Sequence, residues 1–261
     1  DLPADRMAAI RAEAAAHPYP TGNRWRAVRG ERVIEIIGTL HLDDPRLAEV
    51  AARMRPALAA ADVLFVEMAP EDQAALQASL SQDPSRLLLP GTQTLPEMMP
   101  EAAWDRLADA LRARDIPPTM AARMRPWFLS IQLAVPACAA EEVAAGASGL
   151  DRRLMRMADA LDVPIRSLEP ASTVFSVFDG EPLGRQVRFL QASLMPEAMS
   201  EDAFATLVET YFDERHALAW ELSRDFAARQ MDLPRPEVEA LYARLAERLL
   251  FARNRAWIAR V

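Results

Sequence analysis

Two side chains that could do chemistry follow predicted strands in the first third of the chain. His41 comes shortly after Val33–Gly38, whose β-branched residues predict a strand that stops at the glycine. Glu67 closes the apolar run 63–66, which predicts a buried strand. An imidazole and a carboxylate can bind a divalent metal ion such as Zn, Mn or Co, or take up a proton from water. The pair therefore indicates a metal site or an acid–base site.

A helix is predicted between these two strands, and it decides where their ends lie. Apolar residues recur at helical spacing over 47–58, and Asp44 with Pro45 predicts the N-cap and first turn. Such a strand-helix-strand unit has a right-handed crossover and parallel strands. If the strands are neighbours in one sheet, about 4.8 Å apart, both leave it at the same edge. We therefore predict that His41 and Glu67 point into one crevice.

Two further residues are candidates for the same crevice. Glu169 closes a third predicted strand, 163–168, and would lie near the rim. Arg125 precedes Pro126 and Trp127, and its forked guanidinium could hold an anion or a carbonyl oxygen of a substrate. A surface position for Arg125 beside a core tryptophan is the alternative.

Six segments, in a fixed order over nearly the whole chain, resemble the TraB/GumN family. That family includes bacterial pheromone-shutdown proteins and the animal Tiki proteases, and it is distantly similar to erythromycin esterases and ChaN-like proteins. The segments are Gly38-Thr39-Leu40-His41, Glu67, Arg125-Pro126-Trp127, Gly149-Leu150-Asp151, Leu168-Glu169 and Arg253-Asn254-Arg255-Ala256-Trp257.

The resemblance implies a metal-dependent hydrolase built around two Gly-x-x-His motifs, of which this chain contains the first. It implies His41 and Glu67 as ligands of Mn, Co or Zn, with Glu169 as a further catalytic residue. Peptide is the substrate suggested by the Tiki relatives. Relatives continue past the Arg-Asn-x-x-Trp segment into a strand and the second motif. We therefore expect a chain truncated at its C-terminus that binds metal weakly, and a longer gene product that binds metal well.

Other uses of the candidate residues remain open. His41 could cap a tight turn while Glu67 charges the start of the next helix, with no chemistry at either position. A metal-free esterase could use His41 as general base, with Glu67 or Glu169 orienting its other ring nitrogen. A binding protein could use the same crevice for a ligand or a metal without turnover. Comparing metal-loaded and chelated protein for peptide or ester hydrolysis would separate these alternatives.

Composition excludes several other functions. The net charge is −8, and nucleic-acid binding needs a basic face, so nucleic acid is not expected as the main partner. All thirty basic residues are arginines, which leaves no lysine nucleophile or Schiff base. The single cysteine, Cys138, cannot form an internal disulfide. Neither a Gly-x-Ser-x-Gly elbow nor a glycine-rich phosphate loop occurs.

Length and patterning predict one domain over residues 1–261 with an α/β fold. We predict a small, mostly parallel sheet, an N-terminal hairpin turning at Gly30, and many surrounding helices. The second half is expected to be helical, with one helix running from Phe204 past Trp220 to Phe226 and a last one running to the end. His216 would lie inside the former, as a surface or packing residue.

Expectations about partners and location come from the apolar runs, the start of the chain and the family resemblance. No run of about 20 apolar residues is present, so no transmembrane segment is expected. No signal peptide is present, but the chain starts at Asp1 without a methionine, as a processed form would. Because bacterial relatives often have an export signal, we expect a periplasmic or otherwise exported protein, with a cytoplasmic one as the alternative. A small molecule or a peptide is the expected substrate, and the oligomeric state stays open.

Overall fold

Helices dominate this protein, whose computed structural model describes residues 2–144, 149–173, 175, 179–230 and 234–261. The elements, in chain order, are α1 (Ala4–Ala15), β1 (Arg24–Arg29), β2 (Arg32–Ile37), α2 (Leu47–Ala59), β3 (Leu64–Val66), α3 (Pro70–Gln82), α4 (Leu95–Met98), α5 (Glu101–Arg112), α6 (Pro118–Ala121), α7 (Pro126–Leu133), α8 (Ala137–Ala144), α9 (Leu150–Asp159), β4 (Ile165–Ser167), α10 (Leu183–Ala192), α11 (Glu197–Phe212), α12 (His216–Gln230), α13 (Arg235–Ala246) and α14 (Ala252–Trp257). A 3₁₀ turn spans Pro84–Leu87, and a π-helical turn spans Glu247–Phe251.

The predicted N-terminal hairpin is confirmed. Strand β1 pairs antiparallel with β2, with Arg24 opposite Ile37 and Arg29 opposite Arg32. Gly30 takes a positive φ of 62° in the turn, a conformation that glycine adopts without steric cost. The strand pattern and the turn glycine together therefore predicted this hairpin correctly.

Strands β3 and β4 form a second, parallel pair. The amide of Leu64 donates to the carbonyl of Pro164 at 2.8 Å, and the amide of Leu168 donates to that of Val66 at 2.7 Å. The described strands thus make an α/β fold with two short sheets among many helices.

The condition that β2 and β3 are neighbours in one sheet is not met among the described residues. In the described part of the chain, β2 is hydrogen-bonded to β1, and β3 is hydrogen-bonded to β4. The apolar pattern marks each segment as a strand but contains no information about its neighbour, and the hairpin supplies β2 with a partner at once.

The chain forms two compact units. Unit 1 comprises Asp1–Leu64, Glu142–Pro164 and Glu201–Arg229, and unit 2 comprises Phe65–Glu141, Ile165–Ser200 and Gln230–Val261. A cluster of apolar side chains from α2 and α9 forms a core in unit 1: Leu47, Ala51, Met54, Leu150 and Leu154. Unit 2 has a larger core, whose fully buried leucines are Leu95, Leu107, Leu111, Leu129 and Leu190. A single domain over 1–261 stays a prediction.

The helix predicted over 204–226 is wrong as a single element. Helix α11 ends at Phe212 and α12 begins at His216. Between them Glu214 has a φ of 57°, and a left-handed residue ends a right-handed helix. His216 is consequently the first residue of a helix.

The last predicted helix is also interrupted. After α13 the chain makes the π-helical turn Glu247–Phe251 and continues as α14 only to Trp257. Among the described residues, no helix is both long and apolar enough to cross a membrane.

Candidate functional site

The turn after β2 places His41 in unit 1, and hydrogen bonds fix its backbone at both ends. The amide of Gly38 donates to the carbonyl of Asn23 at 2.9 Å, and the Tyr211 hydroxyl donates to the carbonyl of Gly38 at 3.0 Å. At the other end, the Asp44 carboxylate accepts the amide of Arg46 at 2.8 Å. The N-cap of α2 is Arg46, so the prediction of Asp44 as the N-cap is wrong by two residues, and Asp44 instead supports the turn before the helix. The histidine therefore sits on a well-supported strand-to-helix turn.

Gly149 lets the start of α9 approach this turn. The amide of Leu150 donates to the carbonyl of Leu40 at 2.9 Å. A Cβ atom built on Gly149 would lie 2.7 Å from the Cα of His41 and 2.7 Å from the carbonyl oxygen of Leu40. Real Cβ atoms do not approach other atoms this closely, so only glycine fits here without a shift of the backbone.

The same approach brings Asp151 to the imidazole. Nδ1 of His41 lies 3.1 Å from Oδ1 of Asp151, and the side chains are 64% and 27% exposed. Burial acts to raise the pKa of Asp151, but the hydrogen bond and charge of His41, with backbone amides of Arg152 and Asp151, outweigh it and lower the pKa. We call His41 and Asp151 the dyad.

A second cluster in unit 2 contains both predicted glutamates. Nη2 of Arg253 donates to Oε2 of Glu67 and to Oε1 of Glu169, each at 2.7 Å, and its Nε donates to Oε2 of Glu169 at 3.0 Å. The indole of Trp257 also donates to Oε2 of Glu169 at 3.0 Å. We call Glu67, Glu169, Arg253 and Trp257 the carboxylate clamp.

The clamp is more buried at Glu169 than at Glu67. The side chain of Glu169 is 12% exposed, whereas that of Glu67 is 51% exposed. The hydrogen bonds from Arg253 to Glu169 raise the pKa of Arg253, burial opposes this, and the bond to Glu67 adds to the increase. The guanidinium therefore stays charged, and the two carboxylates share its single positive charge.

Arg125 has a carboxylate partner within unit 2. Its Nη1 donates to Oδ1 of Asp179 at 2.6 Å, and its side chain is 23% exposed. Trp127 beside it is buried, as expected for a core tryptophan. This ion pair competes with the substrate-binding role predicted for Arg125, and that role stays a prediction.

The structure thus joins the predicted site residues in two places. Glu67 and Glu169 share Arg253 in unit 2, while His41 lies in unit 1 with Asp151. One crevice for His41 and Glu67 stays a prediction. The carboxylate on Nδ1 of His41 belongs to Asp151, where the sequence suggested Glu67 or Glu169.

Metal ligands are incomplete in the described ranges. Nowhere in them do three or more His, Cys, Asp or Glu side chains form a group that could hold a metal ion. The dyad offers two donor side chains, and a catalytic zinc site usually has three protein ligands. Glu67 and Glu169 already bind a guanidinium cation. These residues do not by themselves fit a catalytic metal.

Asp151 and Arg253 occur in two of the motif segments, but the sequence assigned neither of them a role. The signal for Asp151 was its position directly after Gly149-Leu150, and the signal for Arg253 and Trp257 was the Arg-Asn-x-x-Trp segment. Their contacts could be identified only from the three-dimensional structure. His41 and Asp151, for example, are 110 positions apart in the chain.

Comparison with known proteins identifies the family. Residues 23–261 match the model of the TraB/PrgY/gumN family, and this range includes the dyad and the carboxylate clamp. Searches of curated proteins and of solved structures give no match. Because the family match covers nearly the whole chain, this protein belongs to the TraB/PrgY/gumN family.

Proposed function

We propose that this protein hydrolyses peptide or ester bonds, and that His41 removes the proton from the attacking water. The observation that supports the proposal best is the 3.1 Å contact between the imidazole and Asp151, held by the close fit of Gly149. A carboxylate on one ring nitrogen of a histidine on an exposed turn is the arrangement that general bases use.

The dyad defines which nitrogen does the chemistry. With Asp151 ionised, Nδ1 carries the hydrogen and donates it to Oδ1, so Nε2 is the basic nitrogen. Nε2 takes a proton as the water oxygen bonds to the substrate carbonyl, and the imidazolium then returns that proton to the leaving amine or alcohol. Asp151 stabilises the imidazolium by its negative charge. The lowered pKa of Asp151 favours its ionised form.

The carboxylate clamp takes no part in proton transfer in this proposal. Glu169 accepts hydrogen bonds from both Arg253 and Trp257, so its carboxylate is held in place. Glu67 binds the same guanidinium. We therefore place the proton transfer on His41 and assign Glu67 and Glu169 to binding Arg253.

A metal ion would supply a Lewis acid and an activated water, as the family resemblance implies. His41 and Asp151 would then be two of its ligands. Since the described residues offer no third ligand beside them, no step of the proposed chemistry depends on a metal.

A non-catalytic binding protein is the second candidate. It is favoured by the clamp, in which Arg253 binds both of the glutamates that were predicted to be catalytic. A binding protein needs no general base, so its function would survive the loss of the imidazole's proton-accepting nitrogen.

The test is a panel of peptide and ester substrates incubated with the protein after chelation and after loading with Mn, Co or Zn. We expect hydrolysis by wild type, and a loss of about 10²–10⁴-fold in His41→Ala. The matched control is His216→Ala, since His216 is also an exposed histidine of unit 1 with an Nδ1 hydrogen bond, there to the carbonyl of Gly22. Equal rates in wild type and His41→Ala, or no turnover under any condition, would refute the proposal.

A further inference from the structure

A small pocket lies in unit 1 beside the end of β2. It has a volume of about 220 Å³. Its walls are apolar side chains from β2, α2 and the end of α11: Ile37, Val50, Met54, Tyr211 and Phe212. Gly38 also lines it, three residues before His41. The pocket is therefore next to the turn that contains His41.

The polar groups inside the pocket bind one another. The side-chain amide of Asn23 donates to the carbonyl of Tyr211 at 2.6 Å, and the Tyr211 hydroxyl donates to the carbonyl of Gly38 at 3.0 Å. Burial, with a contribution from the charge of Glu214, raises the pKa of Tyr211 to about 12, so its hydroxyl stays protonated. A ligand consequently meets few unsatisfied donors or acceptors, which favours an apolar group.

Charged side chains of both signs line the pocket. Arg24 lines the pocket, but its Nε donates to Oε2 of Glu35 at 2.9 Å across the hairpin. Arg53 and Glu214 also line it, with opposite charges on exposed side chains. A charge on the ligand would be attracted by one of them and repelled by the other. An uncharged ligand is therefore favoured over an acid or an amine.

The volume limits the size of the group. An apolar cavity of about 150 Å³ holds a benzene molecule, and drug-sized ligands need about 300 Å³ or more. A pocket of about 220 Å³ lies between these values. It has room for a phenyl or isobutyl group and for little of the chain attached to it.

We infer that this pocket binds an uncharged apolar side chain or acyl group, of phenyl or isobutyl size, within a larger molecule. One point of the inference rests on the proposed function: the bound group belongs to the substrate of the dyad. Because Gly38 and His41 share one turn, a group held here would place the rest of its chain near the imidazole. Binding itself requires no hydrolysis.

The test is ligand-observed NMR titration with three probes that differ in one feature each. N-acetyl-L-phenylalaninamide should bind saturably with a Kd on the order of 1 mM. N-acetylglycinamide, which lacks the apolar group, should show no saturable binding. N-acetyl-L-phenylalanine, which has a free carboxylate, should bind no more tightly than the amide. Equal binding of the glycine probe, or no binding of the phenylalanine amide, would overturn the inference.

Two variants locate the binding. Val50→Phe fills the pocket and should weaken binding of the phenylalanine amide at least tenfold, and the smaller change Val50→Leu serves if the first variant unfolds. Val28→Phe is the matched control, since Val28 is an exposed valine of β1 outside the pocket. Unchanged affinity in a folded Val50 variant would overturn the location.

The inference and the proposed function fail separately. His41→Ala should bind the phenylalanine amide as wild type does, since His41 does not line the pocket. Binding without hydrolysis by wild type would leave the pocket intact and refute the hydrolase. Hydrolysis by wild type without binding of the phenylalanine amide would refute the pocket and leave the proposed hydrolase intact.

Discussion

Gly149 lies so close to His41 that a Cβ atom on the glycine would be 2.7 Å from the histidine Cα. Gly149 has an ordinary negative φ of −51°, so the restriction is steric rather than conformational. Gly149→Ala should therefore lower the free energy of unfolding by about 1–3 kcal/mol, as overpacking does. It should also lower activity, because the backbone of the dyad must shift.

Gly184→Ala is the control for that variant. Gly184 lies in α10, and a Cβ there would meet no atom within 4 Å. Its unfolding free energy should stay the same or rise by up to about 1 kcal/mol. Denaturant unfolding of both variants measures the difference, and equal effects at the two glycines would contradict the close fit at Gly149.

The carboxylate clamp predicts a large difference between two arginines of α14. Arg253→Ala leaves the mostly buried carboxylate of Glu169 without its guanidinium, and should cost about 1–3 kcal/mol of stability. Arg255→Ala removes an exposed pair with Glu247 and should cost about 0.5 kcal/mol or less. Urea unfolding of the two variants is the measurement. Equal losses would show that the clamp adds no more stability than a surface ion pair.

Asp44 predicts a pH dependence of stability. Hydrogen bonds from the Arg46 side chain lower the pKa of Asp44, burial opposes this, and the amide of Arg46 lowers the pKa further. A lowered pKa in the folded state stabilises the protein above the unfolded value of about 3.9, and this stabilisation is lost as the pH falls toward the folded value.

Asp44→Ala should accordingly cost about 1 kcal/mol near neutral pH, the usual net value of a lost hydrogen bond. The difference from wild type should shrink as the pH falls below about 4. Urea unfolding between neutral pH and pH 3 measures it. Asp62→Ala, at an exposed aspartate, is the control and should cost little stability near neutral pH. A constant cost of Asp44→Ala at all pH values would mean that the carboxylate charge is not involved.

Local patterns predicted the local elements of this fold well. The hairpin at Gly30 depends on neighbouring residues and is confirmed, whereas the N-cap of α2 is Arg46 and not the predicted Asp44. The break between α11 and α12 was missed, because Glu214 adopts a left-handed conformation that its residue type does not signal. The pairing of β3 with β4 was missed as well, since it joins segments about 100 residues apart.

Candidate site residues could be chosen from the sequence by type, but their partners could not. The sequence marked His41, Glu67 and Glu169 as candidates, and each has a charged partner in the structure. It could not identify those partners, because Asp151 is 110 positions from His41, and Arg253 is 84 positions from Glu169 and 186 from Glu67.

Metal binding by residues 1–261 should be weak. The dyad has two donor side chains, and both glutamates of the clamp are bound to Arg253. Calorimetric titration with Mn or Zn should give no saturable heat at micromolar metal, for wild type and for His41→Ala alike. Tight binding by wild type that His41→Ala abolishes would show that His41 belongs to a complete ligand set.

A double-mutant cycle on kcat/KM shows whether His41 and Asp151 act as one catalytic unit. The cycle compares wild type, His41→Ala, Asp151→Asn and the double variant on one hydrolysed substrate. If Asp151 acts through the imidazole, its loss should matter only while His41 is present, so the double variant should be no slower than His41→Ala. A double variant whose loss equals the product of the two single losses would contradict the dyad.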